Sequence, residues 1–248
     1  MPPTLILIRH AQALHNVNQD YSIQDPPLSE LGRTQCSDLS KALQEKLPED
    51  LKSNIGLIVC SAMSRTCETA VLSLGWLIEK GIPIQAHAGW QENSAKPCDT
   101  GSPIPVVAKQ FPQIDFSHVD PVFPDKVSPA GAKYKYTKAA VLARAQADLE
   151  ELYHRPERVV VVVSHSAFMR QAVTGDHYWN TDYRIYDFED KADAAKGALL
   201  KLKQSDLTKG TGGLGLSHDQ IVELGVGIPE NELPPGEDME LPPDVKPN

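Results

Sequence analysis

Two arginines and two histidines stand where apolar runs of the chain end. Leu5-Ile6-Leu7-Ile8 gives way at once to Arg9-His10-Ala11. A second run, Ile55 to Cys60, is followed by Ser61 and, four residues on, by Arg65. A third, Arg158 to Ser164, leads straight into His165-Ser166. Guanidinium groups present forked N–H donors that match the oxygens of a phosphoryl group. A neutral imidazole is a good nucleophile towards phosphorus, and phosphoryl transfer chiefly requires positioning and neutralised charge. Arg9, Arg65 and His165 could supply that charge without a metal, leaving His10 to attack. The part still needed is an acid for the leaving alkoxide. Glu92, in Gly89-Trp90-Gln91-Glu92-Asn93, follows a short strand predicted near Ile84 and could reach the same place; Asp99, seven residues on, is its nearest competitor. Taken singly, Arg65 reads as well as a surface helix residue, His165 as a core histidine and Glu92 as a loop carboxylate. Three strand ends delivering such residues together is harder to assign to chance.

The elements that must position them can be read from periodicity. The three runs, with a fourth at Ala198 to Leu202, are short and apolar and predict buried strands. Between them lie helical patterns. Ser29 is a plausible cap for a helix carrying Leu31, Leu39, Leu43 and Leu47 on one side. Ser64 to Glu79 predicts a second helix, and Thr137 to Tyr153 a third, with Val141, Leu142, Ala145, Leu149 and Leu152 as its apolar face. The fold class expected is α/β, a mainly parallel sheet flanked by helices on both faces, with an irregular insertion over the active site. In such sheets ligands bind at the carboxyl ends of strands, where Arg9, His10, Arg65 and His165 fall.

Residues 1–207 are read as one domain, with 92–136 as a lid-like insertion holding a short helix near Val106 to Phe111. The tail 208–248 is rich in Gly, Pro and carboxylates and is expected to be extended and poorly packed. Within it, Gly210-Thr-Gly212-Gly-Leu-Gly215 spells a dinucleotide fingerprint letter for letter. It follows no first strand and opens no βαβ unit, so it is read as a flexible glycine loop.

A chain of 248 residues, 41% hydrophobic and 23% charged, can build a substantial core. Its formal net charge of -9 argues against nucleic acid or an anionic membrane as partner, though not against a small anionic substrate held by clustered arginines. No apolar stretch approaches the ~20 residues of a membrane helix. Four cysteines without a CxxC pair, and no Asn-x-Ser/Thr sequon, suggest reduced thiols and a cytoplasmic setting. No ligand spacing for a metal is present and no cofactor is implied.

Arg9-His10-Ala11 with Asn16, followed by Asp25-Pro-Pro-Leu28-Ser29-Glu-Leu-Gly32-Arg-Thr-Gln35, resembles the opening signature of the histidine phosphatase (phosphoglycerate mutase-like) superfamily. Ser61-Ala-Met-Ser-Arg65-Thr-Cys-Glu-Thr69-Ala70 resembles its second motif and Ser164-His165-Ser166 its third, in the family's order, across roughly residues 4 to 175. The resemblance implies His10 as the phosphorylated nucleophile, with Arg9, Arg65 and His165 on the transferring phosphoryl group. Asn16 and Ser166 then join the phosphate-binding set, and Glu92 falls where the family's acid usually lies. Arg-His-Gly of the family is Arg-His-Ala here, His165 is followed by Ser166-Ala167 rather than Gly-Gly, and Ser61 by Ala62 rather than proline; none of these removes a charged group. The mutases' Glu-Arg-x-Tyr-Gly segment is missing, so the chain is similar to the phosphatase branch and to phosphoglycerate mutase-like proteins of fungi and plants. The function implied is metal-independent hydrolysis of a phosphorylated small molecule. The alternatives are a mutase-type phosphotransferase and a non-catalytic module binding a phosphate ligand or phosphoprotein.

Overall fold

The structure, a computed structural model, describes residues 1–189 and 199–232. In these residues a six-stranded sheet has the order β3-β2-β4-β1-β5-β6. Its strands are β1 (Thr4–Arg9), β2 (Ile55–Ser61), β3 (Ile84–His87), β4 (Val159–Ser164), β5 (Tyr183–Phe188) and β6 (Leu202–Gln204). The first four run parallel; β5 is antiparallel to β1, and β6 to β5. The layered α/β fold therefore matches the sequence reading.

Because successive strand residues face opposite sides, each apolar run serves two cores. Ile6 and Ile8 of β1, with Ile58 of β2 and Val161 of β4, meet helices α2 (Glu30–Lys46) and α4 (Ser64–Ile78) through Leu39, Leu43, Ala70 and Leu74. Leu5 and Leu7, with Val160 and Val162, meet α6 (Lys138–Tyr153) through Val141, Ala145 and Leu149. Between these come the short helices α1 (Leu14–Asn18), α3 (Glu49–Ser53) and α5 (Ile104–Gln110), and α7 (Ser166–Phe168) follows β4.

The helix starts are those the caps predict. Ser29 Oγ accepts from the Gly32 N–H, and Thr137 Oγ1 from the Ala140 N–H. Leu31 departs from expectation: it is 53% exposed, since eight residues at about 100° each place it roughly 80° round the helix from Leu39. The insertion is anchored as well as irregular. Ile114, Phe116, Val119 and Phe123 are buried against the α2/α4 side, and Asp115 exchanges backbone hydrogen bonds with Ile84 and Ala86 at the sheet edge.

Three expectations need correction. The fourth strand starts at Leu202, not Ala198; Leu199 is exposed, and residues 190–198 lie outside the described residues. Its neighbour β5 was missed because Arg184 interrupts the apolar run. That buried guanidinium donates to the carbonyls of His177, Thr208, Gly210 and His218, which is how a charge sits inside a strand. Those same bonds draw residues 208–232 onto the domain, so this part of the tail is packed, with Thr208 and Ile228 buried.

The glycine loop is likewise ordered, around a carboxylate. Asp182 accepts from the N–H groups of Tyr183 and Leu214 on one oxygen, and from Leu216 N, Ser217 N and Ser217 Oγ on the other. Gly212, at φ 82°, makes the left-handed turn this wrapping requires. The anion a glycine-rich loop would cradle is thus supplied by the chain itself. Asp182→Ala leaves four N–H groups and a hydroxyl without their acceptor, and is expected to cost about 3 kcal/mol or more of unfolding free energy. Denaturant titration checks this. A loss below about 1 kcal/mol would show that water replaces the carboxylate.

Candidate active site

Parallel pairing of β1 with β4 puts Arg9 opposite Ser164, so the residues after each strand, His10 and His165, emerge side by side. Their ring centroids are 5.2 Å apart. The His10 backbone is held from both directions. Its N–H donates to the Ser164 carbonyl at 3.0 Å, and its carbonyl accepts from Asn180 Nδ2 at 3.0 Å. The Thr181 N–H reaches the carbonyls of both Arg9 and His10 from a left-handed conformation, φ 64°. For a β-branched residue that costs on the order of 1–2 kcal/mol, strain of the kind stored where positioning matters.

Hydrogen bonding selects the imidazole tautomer. His10 Nδ1 lies 2.7 Å from the Ala11 carbonyl, which can only accept, so Nδ1 carries the hydrogen. Nε2 is left with its lone pair, and Arg65 Nε donates to it at 3.2 Å. Burial, reinforced by Arg65, Arg9 and His15, holds the His10 pKa well below the ordinary histidine value, so the ring is neutral at pH 7. His165 is neutral for the same leading reason, with Arg65 and His10 adding to it. Its Nε2 meets Ser61 Oγ at 3.0 Å, and its buried Nδ1 has no partner among the described residues.

Arg65, on the first turn of α4, is 1% exposed and not a surface residue. Besides Nε on His10, one terminal nitrogen donates to the Cys98 carbonyl at 2.6 Å and the other to Asp99 Oδ1 at 3.2 Å. Arg9 is buried beside His10 and donates to the Tyr178 carbonyl at 2.8 Å; Ser166 Oγ donates to the same carbonyl. Asn16 is spent locally, its Oδ1 accepting from the Ala13 N–H and its Nδ2 donating to His15 Nε2.

Glu92 lies at the head of α7, directly after His165. Its Oε1 accepts from Phe168 N at 2.9 Å and Asn93 N at 3.0 Å, and its Oε2 from Ala167 N at 3.2 Å. These bonds and the Arg65 charge favour the carboxylate, but burial and the neighbouring Asp99 outweigh them and raise its pKa. Asp99 is differently engaged, with Oδ1 on Arg65 and Oδ2 accepting from Ser94 Oγ at 2.6 Å.

The structure thus gathers Arg9, His10, Arg65, Glu92, His165 and Ser166 in one largely buried cluster, with Asn16 at its edge through His15. Sequence reasoning missed His15, a buried ring 6.0 Å from that of His10, whose pKa burial pushes down to about 2. Its only signal was its place five residues after His10. Asn180 and Thr181 carry no sequence signal at all. Among the described residues no group of three His, Cys, Asp or Glu side chains is arranged to hold a metal, and no helix is long and apolar enough to cross a membrane.

A buried, neutral histidine with Arg9 and Arg65 beside it thus lies at the carboxyl ends of a parallel sheet. The chain belongs to the histidine phosphatase superfamily (branch 1), whose family model matches residues 5–181. It is 27% identical over 200 residues, 67% of this chain and 69% of the relative, to phosphoglycerate mutase-like protein 1 of Arabidopsis thaliana. A second Arabidopsis thaliana phosphoglycerate mutase-like protein is 26% identical over 67% of this chain and 72% of its own. The fold is similar to that of the ecdysone phosphate phosphatase of Bombix mori, with a TM-score of 0.52 and 12% identity over 82% of this chain and 92% of that one.

Proposed function

We propose that the protein is a metal-independent phosphomonoester phosphatase acting through a phosphohistidine on His10. The observation that carries this reading is the His10 Nε2 lone pair, left free of hydrogen by the Nδ1–H bond to Ala11 and faced by Arg65. A substrate phosphoryl group takes over the guanidinium donors of Arg65 and Arg9, drawing Arg65 away from His10 and from Asp99. His10 Nε2 attacks phosphorus as the ester P–O bond breaks, and the Ala11 carbonyl stabilises the Nδ1–H of the imidazolium formed. His165 and the arginines take up charge on the equatorial oxygens. Glu92 gives its proton to the leaving alkoxide from Oε2, the oxygen with a single N–H partner; as carboxylate it then draws a proton from the water that cleaves the phosphohistidine. Water, not a second alcohol, as final acceptor separates this from a mutase.

The test is a screen of phosphomonoesters for released phosphate, run with and without EDTA beside a bisphosphate-dependent isomerisation assay of phosphoglycerate, since both curated relatives bear mutase-like names. With arginine charge in place of a Lewis acid, phosphate release should be unchanged by chelation. Activity lost to EDTA and restored by a divalent ion would contradict the assignment. Isomerisation outpacing release would replace phosphatase by mutase.

A further inference from the structure

The insertion buries a cation that lies in none of the three motifs. Lys126 is 3% exposed, and its ammonium donates to three backbone carbonyls, those of Glu92 at 2.7 Å, Ser94 at 2.9 Å and Asp99. All three belong to the segment that carries both candidate acids. The next residue, Asn93, is braced by side chains, accepting from Arg144 at 2.8 Å and donating to Gln171 Oε1 at 2.9 Å. We propose that Lys126 is a positioning residue for the proton donor: gathering these carbonyls on one ammonium folds residues 92–99 into the loop that sets the Glu92 carboxyl at the head of α7. The inference rests on the role given to Glu92 above.

Three converging carbonyls need three donors from one point, and only the lysine ammonium offers them. The arrangement is costly, because burial pushes the Lys126 pKa down to about 7, with Arg144 and Arg65 pressing the same way and Asp99 and Glu92 opposing. A lysine that merely stapled the loop would affect stability, and all substrates alike. One that sets the acid acts only where the leaving group needs a proton.

The experiment measures single-turnover phosphorylation of His10 by an alkyl phosphate and by p-nitrophenyl phosphate, in the wild type, Lys126→Met and Lys126→Gln, each with and without Glu92→Gln. Lys126→Met should slow the alkyl ester by on the order of 10²-fold, as displacement of a reacting group by about 1 Å does, and leave p-nitrophenyl phosphate nearly unchanged. Lys126→Gln, which keeps two N–H donors, should show an intermediate loss and serves if the methionine variant does not fold. In the Glu92→Gln background neither change should slow the alkyl ester further. Equal losses on both esters, or losses that multiply with that of Glu92→Gln, would overturn the positioning role. A wild type that forms no phosphohistidine from p-nitrophenyl phosphate would instead overturn the phosphatase reading, and this proposal with it.

Discussion

His10→Ala is expected to lower phosphomonoester hydrolysis by on the order of 10⁴-fold or more, the scale on which loss of a covalent nucleophile is felt. His165 and His15 lie within reach of the crevice, but neither is placed to substitute. His165 is tied to Ser61 and His15 to Asn16, and neither has a guanidinium N–H resting on its ring nitrogen as His10 has. The same substitution should remove the acid-labile, base-stable label that the wild type acquires from a phosphomonoester. Because burial and the arginines keep His10 neutral, wild-type phosphorylation should not weaken between pH 7 and pH 6, where an ordinary histidine of pKa about 6.5 would become largely protonated. Undiminished hydrolysis by His10→Ala, or a label that survives it, would end the phosphohistidine reading.

Second in size is the effect of Glu92→Gln. The amide keeps the shape and its single oxygen can still accept from the Phe168 and Asn93 N–H groups, while the NH2 in place of Oε2 gives up the Ala167 bond and has no transferable proton. Alkyl phosphates should lose on the order of 10² to 10⁴ in single-turnover rate, the usual worth of one general acid, while p-nitrophenyl phosphate should lose far less. The sign of the pH dependence follows from the raised Glu92 pKa: the acid works while protonated, so the wild-type alkyl rate falls as pH rises through that value. In Glu92→Gln that limb should vanish. Asp99→Asn belongs in the same series, since Asp99 faces Arg65. With Oδ1 on Arg65 and Oδ2 on Ser94, it is expected to affect phosphate affinity more than leaving-group dependence. A leaving-group-selective loss in Asp99→Asn, with equal losses on both esters in Glu92→Gln, would move the acid to Asp99.

How much of this could be read beforehand depended on whether a signal was local. The four parallel strands and the histidine and arginine sites at their ends were legible because both faces of the sheet are covered. Uniform apolar runs then mark the strands and any polar residue at their ends stands out. β5 escaped because its buried charge is neutralised by carbonyls 7 to 34 positions away, a compensation no window of sequence displays. The glycine loop was read as flexible from its composition, yet Asp182, some 30 residues earlier, orders it. Lys126 was visible only as one of many lysines in a polar insertion. What distinguishes it is three carbonyls meeting at a point, a property of the folded backbone and not of side-chain type.

The position of β1 has a consequence for how the protein is made. The strand that carries His10 is made before every other strand of the sheet, yet it lies inside it, between β4 and β5. Thr4 pairs with Val159 and Ile8 with Tyr183, so β1 waits for about 150 further residues before either neighbour exists. The contacts that seat His10, from Ser164, Asn180 and Thr181, arrive in the same late stretch. An apolar strand with two open edges invites wrong pairing for the whole of that interval. Pairings so distant in sequence are also slow to close. The site is therefore completed by partners made long after His10, and a nascent chain halted just short of residue 180 contains Arg9, His10, Arg65, Glu92 and His165 but lacks the Asn180 and Thr181 contacts that seat His10.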